Sequence, residues 1–219
     1  MKTRTLPLSL LVVAFVFAGF TLAGDQAEET STQPTTSNGM ASWRIDPVHS
    51  KIGFKARHFG ISNVRGEFRD FDASFSFDPE DLSTVEASVR IRAASVFTGN
   101  DRRDNHLRSD DFFNAEIDSI ITFISKRVQN IDGDEFELVG DLTIRGNTHE
   151  VVLDAKFLGS VSMDRRGQTQ VRAAFEAETK VSRMEYGLKF DSTFGGVGDL
   201  VVGDEVTLII ELELIRIEP

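Results

Sequence analysis

From Ile52 onward the chain alternates between apolar and polar side chains. Phe136, Leu138, Gly140, Leu142 and Ile144 share one face, and Glu135, Glu137, Asp141, Thr143 and Arg145 share the other. The rhythm returns at Val151, Leu153, Ala155 and Phe157, at Val171, Ala173, Phe175 and Ala177, and at Val206, Leu208, Ile210, Leu212 and Leu214. Successive side chains of a strand point to opposite faces, so each run predicts a strand with one dry and one wet side. Ile52, Phe54 and Ala56 open the series, and parity puts His58 on their side. Val64, Gly66 and Phe68 lie at even positions, whereas Phe71, Ala73, Phe75 and Phe77 lie at odd ones. That change of parity predicts a bulge or sharp bend at Arg69 and Asp70. Val85, Ala87, Val89, Ile91 and Ala93 form the next dry face.

Turn residues separate these runs at Asp78 to Asp81, Asn130 to Asp134, Arg145 to Thr148 and Asp164 to Gly167. Counting runs gives about eight antiparallel strands, the number at which a closed barrel encloses one small ligand. Periodicity alone leaves a two-sheet sandwich equally open. The dry faces mix large residues with Ala and Gly, and small inward residues leave volume unfilled, so the interior is a candidate ligand cavity.

One segment breaks the rhythm. Thr98 to Asn114 reads TGNDRRDNHLRSDDFFN, polar and without two-residue alternation. Asn100 or Asp101 can cap a short helix there, with Leu107, Phe112 and Phe113 as its apolar contacts. The segment is expected to be a helical lid.

The amino terminus has a different character. Lys2 and Arg4 precede an apolar run from Leu6 to Phe20, and Thr21, Leu22 and Ala23 follow. This is the order of a secretory signal peptide, expected over residues 1–23. The run is short of the roughly 20 residues a membrane span needs, so no stable span is expected after processing. Residues 24–41 are rich in Glu, Ser, Thr and Gln and read as a flexible polar linker. The folded domain is expected over residues 42–219, in a periplasmic or secreted protein.

Composition narrows the function classes. The 219 residues carry a formal net charge of −11. An acidic surface argues against nucleic acid, whose phosphates need Lys and Arg, and against docking on anionic lipid. The absence of cysteine excludes disulfides, thiolate metal sites and Cys nucleophiles. His49, His58, His106 and His149 are not at metal-ligand spacing, so neither a metal nor a cofactor is expected. Ser50 beside His49 would face the opposite side of a strand, no G-x-S-x-G elbow occurs, and the Gly-rich stretch Gly195 to Asp199 lacks the following Lys-Ser/Thr of a phosphate cradle. No catalytic set emerges.

Several stretches together resemble the YceI-like family. They are Trp43 to Ser50 (WRIDPVHS), His58 to Gly66 (HFGISNVRG), Ser95 to Asn100, Arg103 to Leu107, Ser109 to Phe113, Gly140 to Thr148 (GDLTIRGNT) and Arg183 to Gly187 (RMEYG). Where the family usually has Pro before its I-x-F strand, this chain has Ser119. The resemblance implies an all-β fold, an extended eight-stranded antiparallel lipocalin-like barrel. It also implies export, and binding of a long-chain amphiphile such as a polyisoprenoid or isoprenoid quinone, for transport or storage.

On that reading the tunnel is expected to be lined by Phe54, Ala56, Phe75, Phe77, Val89, Ile91, Phe123, Leu142, Leu153, Phe157, Ala173 and Phe175. His58, Arg103, His106 and Arg183 are candidates for the polar head or for fixing the lid. Two other readings remain: an enzyme acting on the bound lipid or quinone, which would bring His58 and His106 together at a cavity mouth, and a non-binding interaction module with a filled core. A homodimer stays open.

Overall fold

The computed structural model describes residues 40–165, 167–190 and 201–217. The expected signal peptide, most of the linker, Arg166 and the Gly195 to Asp199 stretch lie outside the described residues. Among the described residues, no helix is long and apolar enough to cross a membrane.

The strands are β1 (Ala41–Ile45), β2 (Lys51–His58), β3 (Ser62–Phe68), β4 (Phe71–Asp78), β5 (Asp81–Arg92), β6 (Val96–Phe97), β7 (Ile120–Asp132), β8 (Glu135–Ile144), β9 (Asn147–Arg165), β10 (Gln168–Ser182) and β11 (Val202–Arg216). The α-helix α1 (Asp101–Arg108) falls between β6 and β7, and a short 3-10 turn, Ala93–Ser95, separates β5 from β6. The segments reduce to eight walls because three walls are interrupted. β1 and β2 both pair with β11, against Leu214 to Arg216 and Val202 to Glu211 respectively. β3 and β4 form the next wall, and β5 and β6 the third, since β3 pairs with β6 and β4 with β5. All these pairings are antiparallel, and the β1–β11 pairing closes the ring. The structure is therefore the expected closed barrel and not a sandwich.

Two of the interruptions have a local cause in hydrogen bonding. Between β1 and β2 the Ser50 side chain substitutes for backbone: its Oγ donates to the Glu213 carbonyl at 3.3 Å and accepts from the Glu213 amide at 2.9 Å. Between β3 and β4 the bend falls at Arg69 and Asp70, where the parity changes; the Arg69 amide turns to the Ser95 carbonyl, and the Asp70 carbonyl accepts from the Arg92 amide. The β8–β9 hairpin turns on Arg145 and Gly146, at φ 51° and 72°. Two successive positive φ values match the right-handed twist of the flanking strands.

The barrel wall has one weak seam. β5 and β7 pair only from Ser88 to Arg92 against Ile120 to Ile124. Beyond that point β7 bulges at Ser125 to Arg127 as it follows β8. The Ala87 amide then donates to Ser125 Oγ, at 2.8 Å, in place of a strand partner.

The inward glycines do not widen the tunnel as the sequence suggested. A Cβ on Gly140 would lie 2.5 Å from Phe123 Cζ and from the Ile124 carbonyl oxygen. A Cβ on Gly66 would lie 2.3 Å from Phe54 Cζ. Each glycine is a bare patch of strand covered by an aromatic ring from the adjacent strand. The small residues that do border one chamber of the interior are Ala87, Ala155 and Ala177.

Candidate ligand cavity

Register places the interior in layers along the barrel axis. At one end Trp43, Phe77, Phe157 and Phe175 pack into an aromatic plug. Phe77 meets Phe175 edge-on at 5.1 Å and Phe157 edge-on at 6.1 Å between ring centroids. Above the plug lies a chamber of about 100 Å³, lined by apolar side chains apart from Glu176. Ala87, Ala155 and Ala177 border it together with Phe75, Val89, Phe123, Leu153 and Phe175. A second chamber, of about 110 Å³, lies toward α1 and is lined by Phe54, Ala56, Leu107, Phe112, Phe113, Val206, Arg183 and Tyr186, among others. The two chambers share Ile52, Ile91, Leu142 and Leu208, which form a waist between them.

The lid is built by its own side chains. Asn100 Oδ1 caps α1 by accepting from the Arg103 amide at 3.0 Å, as its residue type predicts. Asp104 is buried and holds the preceding strap, accepting from the Thr98 amide at 2.9 Å and from the Thr98 hydroxyl. Leu107, Phe112 and Phe113 reach down over the second chamber. Arg145 ties the lid to the turn after β10: its Nη1 donates to the Phe112 carbonyl at 3.1 Å and to the Gly187 carbonyl at 2.9 Å. Asn147 Nδ2 adds a bond to the Tyr186 carbonyl at 3.1 Å.

The expected tunnel residues divide between the two chambers and the plug. Phe75, Val89, Phe123, Leu153 and Phe175 line the first chamber, Phe54 and Ala56 the second, and Ile91 and Leu142 both. Phe77, Phe157 and Ala173 are buried but line neither chamber. They lie toward the end where β1 meets β4, and there the interior is filled by rings.

The polar candidates are scattered. His58 ends β2, with its ring against Phe59 at 4.1 Å, and lines neither chamber. Arg103 is turned to Thr98, donating to its hydroxyl at 2.7 Å and its carbonyl at 2.9 Å. His106 Nε2 lies 2.7 Å from Asp111 Oδ2, and its ring packs on Phe112 and Phe190. Arg183 does line the second chamber, but its guanidinium donates to the carbonyls of Gly203, Leu188 and Val202. It serves as a buried brace between the β10 turn and the start of β11.

Sequence reasoning missed Tyr186. It is 1 % exposed, lines the second chamber, and its hydroxyl has no hydrogen-bond partner among the described residues. Burial, with a smaller effect from Glu185, pushes its pKa up to about 12, so the phenol keeps its proton. Its position in a turn, outside any alternating run, gave no periodic signal.

A second polar cluster was also missed. Asp46, His49 and Glu213 bring their ligating atoms within 4.8 Å of one another. Arg172 already fills that space, with Nη1 2.7 Å from Asp46 Oδ2 and also bonded to Glu213. Burial alone would raise Asp46, but hydrogen bonds from Arg172, His49 and the Val48 amide outweigh it and hold the carboxyl at about 2. The guanidinium takes the place a metal ion would need.

An open groove of about 810 Å³ runs along the outside of the β5–β7 seam. It shares Phe75, Val85 and Ala87 with the first chamber, and Glu86, Lys126 and Arg127 line its outer part.

A closed up-and-down barrel with an apolar, chambered interior and a helical cap defines a lipocalin-like class of fold. The sequence profile of the YceI-like domain matches residues 43–214, and the chain belongs to that family. It is 38% identical over 175 residues to the protein YceI of Escherichia coli, covering 79% of this chain and 86% of that one. Among solved structures it is similar to the YceI protein of Campylobacter jejuni, at 33% identity and a TM-score of 0.63, over 74% of this chain and 90% of that one. A polyisoprenoid binding domain from Saccharophagus degradans shares the fold at 16% identity and a TM-score of 0.57, over 81% of this chain and 99% of that one.

Proposed function

We propose that this protein binds a long-chain amphiphile, a polyisoprenoid or isoprenoid quinone, with its tail in the two chambers, and stores or carries it through an aqueous compartment. The observation that carries the reading is the pair of adjoining apolar chambers joined at a common waist. An apolar tail gains about 0.8 kcal/mol for each CH₂ taken out of water, so such an interior binds without chemistry. The polyisoprenoid binding domain with the same fold supports the ligand class. The chambers together are smaller than the roughly 300 Å³ at which pockets for drug-sized ligands begin, so the wall widens as a long tail enters. The β5–β7 seam is the place where that costs fewest backbone bonds, and the outer groove leads to it.

Binding is favoured over catalysis because neither His58 nor His106 lines a chamber, and His106 is held by Asp111. The unfilled chambers count against a merely packed interaction module. The reading includes export to a periplasmic or extracellular space, tested by sequencing the amino terminus of the mature protein for cleavage after Ala23. Binding is tested by incubating the protein with quinone-loaded vesicles and separating the two. Quinone travelling with the protein supports the reading, and none above a lysozyme control overturns it.

A further inference from the structure

We infer that Tyr186 is a specificity residue of the second chamber, where its hydroxyl receives the neutral oxygen head of an amphiphile, an alcohol or quinone carbonyl, in preference to a phosphate head. This rests on the lipid-binding reading above and adds the chemistry of the head to it. A buried hydroxyl without a partner is costly in a finished core, and native proteins keep few of them. Here the residue borders a cavity; its hydroxyl is closed off while the chamber is empty, and a ligand oxygen can supply the missing bond as the chamber widens around a tail. The rest of Tyr186 is fixed: Asn147 holds its carbonyl, and its ring lies edge-on to His149 at 5.0 Å.

The surroundings select the charge of the head. Arg183 is the cation lining this chamber among the described residues, and it is engaged with the carbonyls of Gly203, Leu188 and Val202. A diphosphate would have to draw that guanidinium away from bonds that hold the β10 turn, or enter the apolar chamber without a counter-charge. A neutral oxygen asks for one hydrogen bond, which a protonated phenol can give. Leu107, Phe112 and Phe113 of the lid close over the same chamber and keep water from competing for it.

The test compares three probes with a common tail length, geranylgeraniol, its diphosphate and the hydrocarbon phytane, on the wild-type protein and on Tyr186→Phe. The wild type is expected to bind the alcohol most tightly. The variant is expected to lose about tenfold in affinity for the alcohol while phytane binding is unchanged. Equal binding of the alcohol to both proteins, or tightest binding of the diphosphate, overturns the inference while leaving lipid binding intact. Failure of all three probes to bind the wild type overturns both readings. The ligand-free variant gives a second readout: it is expected to melt at a temperature no lower than the wild type, because Phe removes only an unpaired hydroxyl. A lower melting temperature means that the hydroxyl has a partner within the protein, which also overturns the inference.

Discussion

Trp43 stacks on Phe77 with ring centroids 4.7 Å apart and ring planes 18° from parallel, and its indole N–H donates to the Phe77 carbonyl at 3.4 Å. The pair joins β1 to β4 at the end of the barrel away from the lid. Phe77 is fully buried there, and its removal would leave a hole that backbone-paired walls cannot collapse around. Phe77→Ala is expected to cost about 3–5 kcal/mol in urea unfolding. A cost below about 1 kcal/mol would mean that this end of the barrel is not a packed plug.

Gly140 carries the opposite constraint. Its strand is overlain by the ring of Phe123, and an added methyl group would meet both that ring and the Ile124 carbonyl. Gly140→Ala is expected to destabilise by about 1–3 kcal/mol as overpacking. Combining it with Phe123→Leu, which removes the colliding ring atoms, is expected to recover part of that loss. Strict additivity of the two substitutions would show that the ring does not cover the glycine.

Asp46 sets an acid limit on stability. Its folded pKa of about 2 lies below the ordinary value of 3.8. A depressed carboxylate contributes stability that is fully present above the unfolded pKa and is lost as pH falls through the folded one. Unfolding free energy is therefore expected to drop between about pH 4 and pH 2, by on the order of 2 kcal/mol from this group. Asp46→Asn is expected to be less stable at neutral pH and to show a flatter fall over that window. Parallel pH profiles for the two proteins would contradict the assignment.

On the proposed reading a long tail has to pass the waist. Ile91 and Leu142 line both chambers, so a larger side chain there separates them. Leu142→Phe is expected to weaken a long-tailed quinone at least about tenfold while sparing a short-tailed one, read by separating bound from free quinone at a series of concentrations. Equal weakening of both would place the tail outside the chambers.

Much of this architecture was legible from local signals. Alternation located the walls, the parity change located the bend at Arg69 and Asp70, and Asn100 announced the helix of the lid. These features depend on residues close in sequence. The position of a side chain along the barrel axis does not, because it depends on the stagger between strands, which parity leaves undetermined. That is why Phe77, Phe157 and Ala173 read as tunnel wall although they lie away from the chambers. The same reasoning applies to Gly140, whose gap is filled by Phe123 from the neighbouring strand. Arg183 was singled out and does line a chamber, yet its donors are taken up by carbonyls from β11 and from the turn. Tyr186 lay in a turn with no periodic pattern, and only the folded structure brings it to the cavity.

The central claim is that the chambers hold an amphiphile, and the most direct measurement is native mass spectrometry of the mature protein purified from its own host, followed by extraction of whatever is bound. The expected result is a discrete mass increment that extraction resolves into a lipid with an isoprenoid tail and a neutral oxygen head. Uniformly ligand-free protein that also takes up nothing from quinone-containing vesicles would contradict the account.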